Sequence, residues 1–185
     1  MPHRVCPWWL GYFLINPFRR WRHNPAKILD AYVRPGMTVL EPGPGMGFFT
    51  LDLLRMVGTS GKVVAVDLQP KMLARLKRRA DKAGLLDNLD ARLASPESMP
   101  LTDLAASVDF TLAFAVVHEF PNTAHFFRQV AAVSKPGALL LLVEPKGHVK
   151  SADFDAELNA ASDCGFRQQS RPAIAGSHAA LLLRN

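Results

Sequence analysis

From residue 38 onward, apolar blocks alternate with amphipathic stretches, and their spacing predicts the elements. "TVLEP" (38–42), "KVVAVDL" (62–68), "VDFTLAFAV" (108–116) and "ALLLLVEP" (138–145) are short, nearly continuous apolar runs, the pattern of strands covered on both faces. "LDARLA" (89–94) is a weaker strand among them. Residues 48–57, 70–83, 122–134 and 151–164 read as helices. Gly58, Gly84 and Gly165 stop three of these, and Pro70 suits a helix start. Strands near 166–170 and 178–183 close the chain with no helix between them, which predicts a hairpin and hence one antiparallel strand.

Strand and helix in alternation describe an α/β fold, a doubly wound, mostly parallel sheet with helices on both faces. The 185 residues suffice for one domain with a sizeable core, and 49% of them are apolar. Two lone cysteines, Cys6 and Cys164, suggest free thiols in a reducing compartment, and a cytoplasmic location is expected. No metal-ligand spacing is present, and no apolar run approaches the roughly 20 residues of a spanning helix. The net charge of +6 is concentrated before Asp30 and in "KMLARLKRRADK" (71–82). The second cluster reads as a solvated helix face, or else as a surface for an anionic partner.

Function enters through "VLEPGPGMGFFT" (39–50), where Gly43, Gly45 and Gly47 alternate between the first strand and its helix. Such a turn lets the backbone approach a ligand closely, and a helix N-terminus offers N–H groups to an anion. The nicotinamide fingerprint G-x-G-x-x-G and the P-loop Gly-Lys-Ser/Thr are both absent. Asp67 ends the second strand, 20 residues after Gly47, where an acid can accept both hydroxyls of a ribose. Glu41-x-Gly43-x-Gly45-x-Gly47 resembles the first motif of the class I S-adenosylmethionine-dependent methyltransferases. "SKPGALLLLVEP" (134–145) resembles their turn into strand five, and the resemblance runs over about residues 25–185.

That resemblance implies a Rossmann-like seven-stranded sheet of order 3-2-1-4-5-7-6 with strand 7 antiparallel. It implies S-adenosylmethionine as cofactor, S-adenosylhomocysteine as product, and cofactor contacts at Glu41, Gly43, Gly45, Gly47, Asp67 and Leu68. The family often carries Asp after strand three to bind adenine; Ser95 takes that place here, and Pro96 has no N–H to give, which makes Glu97 the substitute. Phe114 is expected to pack on the cofactor.

Methyl transfer is an in-line displacement that needs positioning and, for a protonated nucleophile, a base. Strand four runs into His118 and Glu119, strand five into Glu144, Lys146 and His148, so these groups are predicted to converge at neighbouring strand ends. His118, Glu119 and Glu144 are the candidate catalytic residues. The leading reading is a small-molecule methyltransferase. An RNA methyltransferase is the alternative enzyme: the first motif also resembles that of the ribosomal RNA adenine dimethyltransferases. "AFAVVHEF" lacks their Asn/Asp-Pro-Pro-Tyr-like residues, and no added RNA-binding domain is expected. A non-catalytic cofactor-binding module at a membrane surface is the reading from another class.

Residues 1–24 are set apart as an aromatic and basic segment holding Trp8, Trp9 and Trp21, preceding a domain over residues 25–185. It reads as a lid over an apolar substrate pocket, as core packing, or, through residues 8–22, as a peripheral membrane contact. Asn16-Pro17-Phe18-Arg19-Arg20 follows its apolar part instead of a small-residue cleavage site, so a signal peptide is not expected. Asn24-Pro25 reads as the cap and first turn of a helix.

Overall fold

The computed structural model describes residues 23–185; the lid, packing and membrane readings of residues 1–22 lie outside the described residues. The fold divides after Pro100 into two compact units. The first holds α1 (Pro25–Leu29), β1 (Thr38–Pro42), α2 (Thr50–Val57), β2 (Lys62–Asp67), α3 (Pro70–Lys82) and β3 (Leu89–Leu93). The second holds β4 (Val108–Phe114), α4 (Thr123–Val133), β5 (Ser134–Pro145), α5 (Ser151–Asp163), β6 (Phe166–Ser170) and β7 (Ser177–Arg184). The strand order is β3-β2-β1-β4-β5-β7-β6, the order the resemblance implies. β7 runs antiparallel to both β5 and β6, as the closing hairpin requires.

In the first unit β1, β2 and β3 are parallel. Val39, Leu40, Val63, Val64 and Ala65 are fully buried, so both faces of β1 and β2 are covered, as the unbroken apolar runs demand, whereas β3 is half-buried. α3 turns Met72, Leu73, Leu76 and Ala80 inward, and Leu73 and Leu76 close on Ala65 with Leu89 and Ala91 at the margin. α1 starts as the sequence predicts: the Asn24 side chain accepts the Lys27 N–H at 3.3 Å and Pro25 occupies the first turn.

In the second unit β4 and β5 are parallel, and Leu140, Leu141, Leu142 and Val143 of β5 are fully buried. Phe126, Phe127 and Val130 of α4 and Phe154 and Ala161 of α5 supply the helical side of this core. Each such Leu, Val or Phe contributes about 1.5–3 kcal/mol relative to an exposed position.

Two of the boundaries that differ from the sequence prediction have a visible local cause. β5 begins at Ser134, inside the segment read as helix, because its register against β4 shifts between Val108 and Phe110. Lys135-Pro136-Gly137 is taken up in that irregularity, with Gly137 at φ +80°, so the turn is a bulge within the strand. β4 stops at Phe114 because Ala115 adopts φ +56°, and the chain then folds into a short 3-10 turn over Val117–Glu119.

Candidate active site

The glycine turn after β1 is closed on itself. Gly43 N–H donates to the Val66 carbonyl at 2.8 Å, and Gly47 N–H to that of Pro44 at 3.0 Å. Gly45 N–H donates to Asp67 Oδ2 at 3.2 Å. These three amides are therefore engaged within the protein. The glycines serve shape instead. Gly45, at φ +55°, faces open space where a Cβ would stand, leaving its backbone accessible to a ligand. Gly47, at φ +82°, has no such room: an added Cβ would come within 2.4 Å of Leu76 Cδ1 of α3. Gly47→Ala is accordingly expected to destabilise the protein by about 1–3 kcal/mol. A thermal melt should fall by several degrees, and an unchanged melting temperature would remove the packing role.

Asp67 closes β2 with its carboxylate fixed by amides. Oδ1 accepts the Gln69 N–H at 2.8 Å and Oδ2 the Gly45 N–H. The carboxylate keeps accepting capacity beyond these bonds, which is what a vicinal diol needs. Burial raises the Asp67 pKa, and the amide bonds of Gln69, Gly45 and Leu68 oppose that rise. Leu93, opposite Asp67 in the β2–β3 register, is 55% exposed. With half-buried Leu68 it gives the carboxyl ends of β2 and β3 an apolar surface beside an acid. These features fit a nucleoside cofactor.

The remaining predicted residues of this unit behave differently. Glu41 is buried at the end of β1. Ser95 and Glu97 are exposed, and Ser95 Oγ already accepts the Ser98 N–H at 3.1 Å within a tight turn. Sequence reasoning missed Arg79, which it placed in a solvated basic face. The Arg79 guanidinium donates to the carbonyls of Met46 and, at 3.1 Å, Gly47, tying α3 to the glycine turn. The available signal was its position at the edge of the buried stripe, three residues after Leu76.

In the second unit the predicted convergence at the ends of β4 and β5 is a direct bond. His118 Nδ1 lies 2.5 Å from Glu144 Oε2. Glu144 Oε1 accepts the N–H of Val117 at 2.7 Å and of His118 at 3.4 Å. Glu144 is 0% exposed, so its carboxylate has no open side for an acceptor, which the candidate catalytic role given it by the sequence needs; its open contact is His118. A carboxylate only accepts, so Nδ1 carries the hydrogen, and Nε2 of the neutral ring is the basic atom. Burial lowers the His118 pKa, but the bond and charge of Glu144, joined by Glu119 and Glu157, outweigh it and leave the pKa raised. The His148 ring meets His118 edge-on at 5.8 Å. Glu119 is half-buried in the same turn, Phe114 is half-buried at the end of β4, and Lys146 is exposed after β5. Cys164 donates its thiol to the Ala124 carbonyl at 3.6 Å, and burial raises its pKa.

The pattern of the methyltransferase-domain family matches residues 34–175. Over 140 residues the chain is 30% identical to the ubiquinone/menaquinone biosynthesis C-methyltransferase UbiE of Shewanella frigidimarina, covering 74% of this chain and 54% of that protein. It is 32% identical over 112 residues to the UbiE of Escherichia fergusonii, covering 60% of this chain and 44% of that one. The chain thus spans about half the length of the curated relatives it matches. Among solved structures, a SAM dependent methyltransferase from Aquifex aeolicus superposes with a TM-score of 0.84 at 27% identity, covering 97% and 98% of the two chains. The [4+2]-cyclase SpnF shares the fold, with a TM-score of 0.67 at 19% identity over 84% of this chain and 60% of its own.

Proposed function

Because this chain belongs to the class I S-adenosylmethionine-dependent methyltransferases, we propose that it methylates a carbon of a small-molecule acceptor, with His118 taking the proton that must leave. The observation that carries this reading is the carboxylate-backed imidazole at the carboxyl ends of β4 and β5. The UbiE relatives, named as C-methyltransferases, support the choice of carbon and of a small molecule.

When bound, the cofactor supplies a methyl group on a good leaving group. The chain supplies the rest. Asp67, its carboxylate already oriented by the Gly45 and Gln69 N–H groups, would accept from the ribose hydroxyls. Leu68 and Leu93 offer apolar contact to adenine, a role to which the exposed Ser95 and Glu97 add polar groups. Arg79 keeps the glycine turn seated on α3. His118 accepts a proton at Nε2, and Glu144 stabilises the imidazolium so formed.

SpnF shows that the fold alone does not dictate the chemistry, so the test must read methyl transfer. Purified protein is incubated with methyl-labelled cofactor and panels of phenols and hydroquinones, amines, thiols, and RNA. Label in a carbon-bound product from the first panel is the expected result. Label only in RNA, or only on nitrogen or sulfur, would replace the proposed acceptor class.

A further inference from the structure

The second unit holds a recess that the reaction above leaves unused. β4 and β5 end together, and Pro145 at the end of β5 pairs with Ser177 at the start of β7. The turn between β6 and β7 therefore lies at the same edge of the sheet as His118. Between that turn and the start of α5 is an open cleft of about 640 Å³, a size that holds a small molecule. Its walls carry Lys146, Arg171 and His178, with Phe154, Pro172 and Ile174 as apolar surface, and no acid among the described residues. Phe154, 1% exposed, sets two of the three bases. The His178 ring stacks on it at 5.3 Å with 23° between the planes, and the Arg171 guanidinium carbon lies 5.9 Å from its centroid. Arg171 also donates through Nη2 to Asp155 at 3.1 Å and through Nε to Gln168 at 3.3 Å, which leaves Nη1 without a partner among the described residues. Both members of the Arg171–Asp155 pair are about half exposed, at 51% and 53%, so the pair is weak and leaves the guanidinium open to a second anion. Lys146 is exposed, makes no ion pair among the described residues, and is anchored by its backbone N–H to the Gly176 carbonyl at 3.1 Å. Seating the β6–β7 turn on α5 accounts for the Phe154 contacts. It gives no reason for three bases to line one recess that no acid shares.

The cleft adjoins the pair that takes the proton. Glu144 and His178 are directly opposed in the β5–β7 register, so their side chains stand on one face with Cβ atoms about 5 Å apart. Glu144 is bonded to His118, and His148, two residues after Lys146, meets the same ring. We propose that this cleft binds an oxyanion group, carboxylate or phosphate, carried by the methyl acceptor, with Lys146 and Arg171 as its ion-pair partners and His178 as a further donor. The inference rests on the proposed methyl transfer at His118, and it narrows the acceptor to small molecules that bear a negative charge. The field of two permanent cations draws such a molecule in, and holding its charged end restricts where its reacting carbon can lie.

The test is an NMR titration of the His178 ring, without cofactor, with three probes that share one ring: hydroquinone, its carboxylate gentisate, and its monophosphate. Wild type is compared with Lys146→Gln and Arg171→Gln. Gentisate or the monophosphate is expected to move the His178 signals at about 10-fold lower concentration than hydroquinone, and less readily at high salt. Each variant should weaken that binding by roughly 3- to 10-fold, the size of a partly exposed ion pair. The preference between the two anions tells carboxylate from phosphate. Equal affinity for hydroquinone and both anions, or binding unchanged in Lys146→Gln, would overturn the proposal. Lys146→Gln alters an exposed side chain, so the test stands even where Arg171→Gln fails to fold. Inorganic phosphate that displaces the ring-bearing anions at equal concentration would make the cleft a site for a free ion and would also overturn it. Methyl transfer is read separately. Anion binding here with no methyl transfer to any panel member would sink the proposed function and leave the oxyanion site standing; methyl transfer with no preference for the charged probes would sink this inference alone.

Discussion

Replacing Asp67 with Ala is expected to weaken S-adenosylhomocysteine binding by about 10- to 100-fold, roughly 1.4–2.8 kcal/mol, in a calorimetric titration. Two charge-assisted hydrogen bonds to the ribose would be lost, each contributing about 1.5–3 kcal/mol before partial replacement by water. The turn would loosen as well, because Gly45 and Gln69 donate to the same carboxylate. Asp67→Asn separates the two effects. Its amide oxygen can still accept from Gln69, but its NH2 group would face the Gly45 N–H, donor against donor. If turn geometry matters, Asn should bind nearly as weakly as Ala. If only the ribose contact matters, Asn should retain part of the affinity. Because the folded pKa of Asp67 is raised, cofactor binding should also fade on acidification at a higher pH than an ordinary aspartate would give. Wild-type affinity in Asp67→Ala would remove the cofactor pose argued above.

Glu144→Gln is expected to lower the methyl-transfer kcat by about 100- to 1000-fold, within the range for loss of a general base. Gln is nearly isosteric, and its oxygen can keep the Val117 N–H. Its NH2 group then faces His118 Nδ1 and forces that nitrogen to accept. The hydrogen moves to Nε2, and the atom that should take the proton no longer can. KM should change far less than kcat; a change confined to KM would argue that Glu144 only shapes a pocket. Stability carries a second signature. The pair raises the His118 pKa, so its contribution is complete below the unfolded histidine value of about 6.5 and is lost as pH rises through the raised folded value. The gap in melting temperature between wild type and Glu144→Gln should therefore be wider at pH 6 than at pH 9.

The parts of this protein legible in its sequence are those fixed by neighbours in the chain. The glycine spacing, the acid closing β2 and the buried strand runs are local patterns, and from them the sheet and the turn after β1 could be placed. The two shifted boundaries arose where one residue adopts backbone that no pattern announces. Ala115 has none of glycine's freedom yet sits at φ +56°, and it turns the chain toward His118. Adjacent strand ends predicted that His118 and Glu144 would meet, although 26 residues separate them, but not that one would be wholly buried beneath the other. What Arg79 touches was illegible for a further reason. Helical periodicity tells which face points inward, not what a charged side chain on or beside that face will touch.

The outermost strands bear on how the molecule meets copies of itself. β3 pairs only with β2, and β6 only with β7, among the described residues. Both carry charge along their length: Asp90 and Arg92, bonded at 2.7 Å, on β3, and Arg167 on β6, where only Phe166 is buried. Extending the sheet across either border would strip water from these groups with no assured partner, a cost that opposes growth by strand addition. Crowded solutions of this protein should resist fibre formation at these borders, and any self-association would have to recruit a different face.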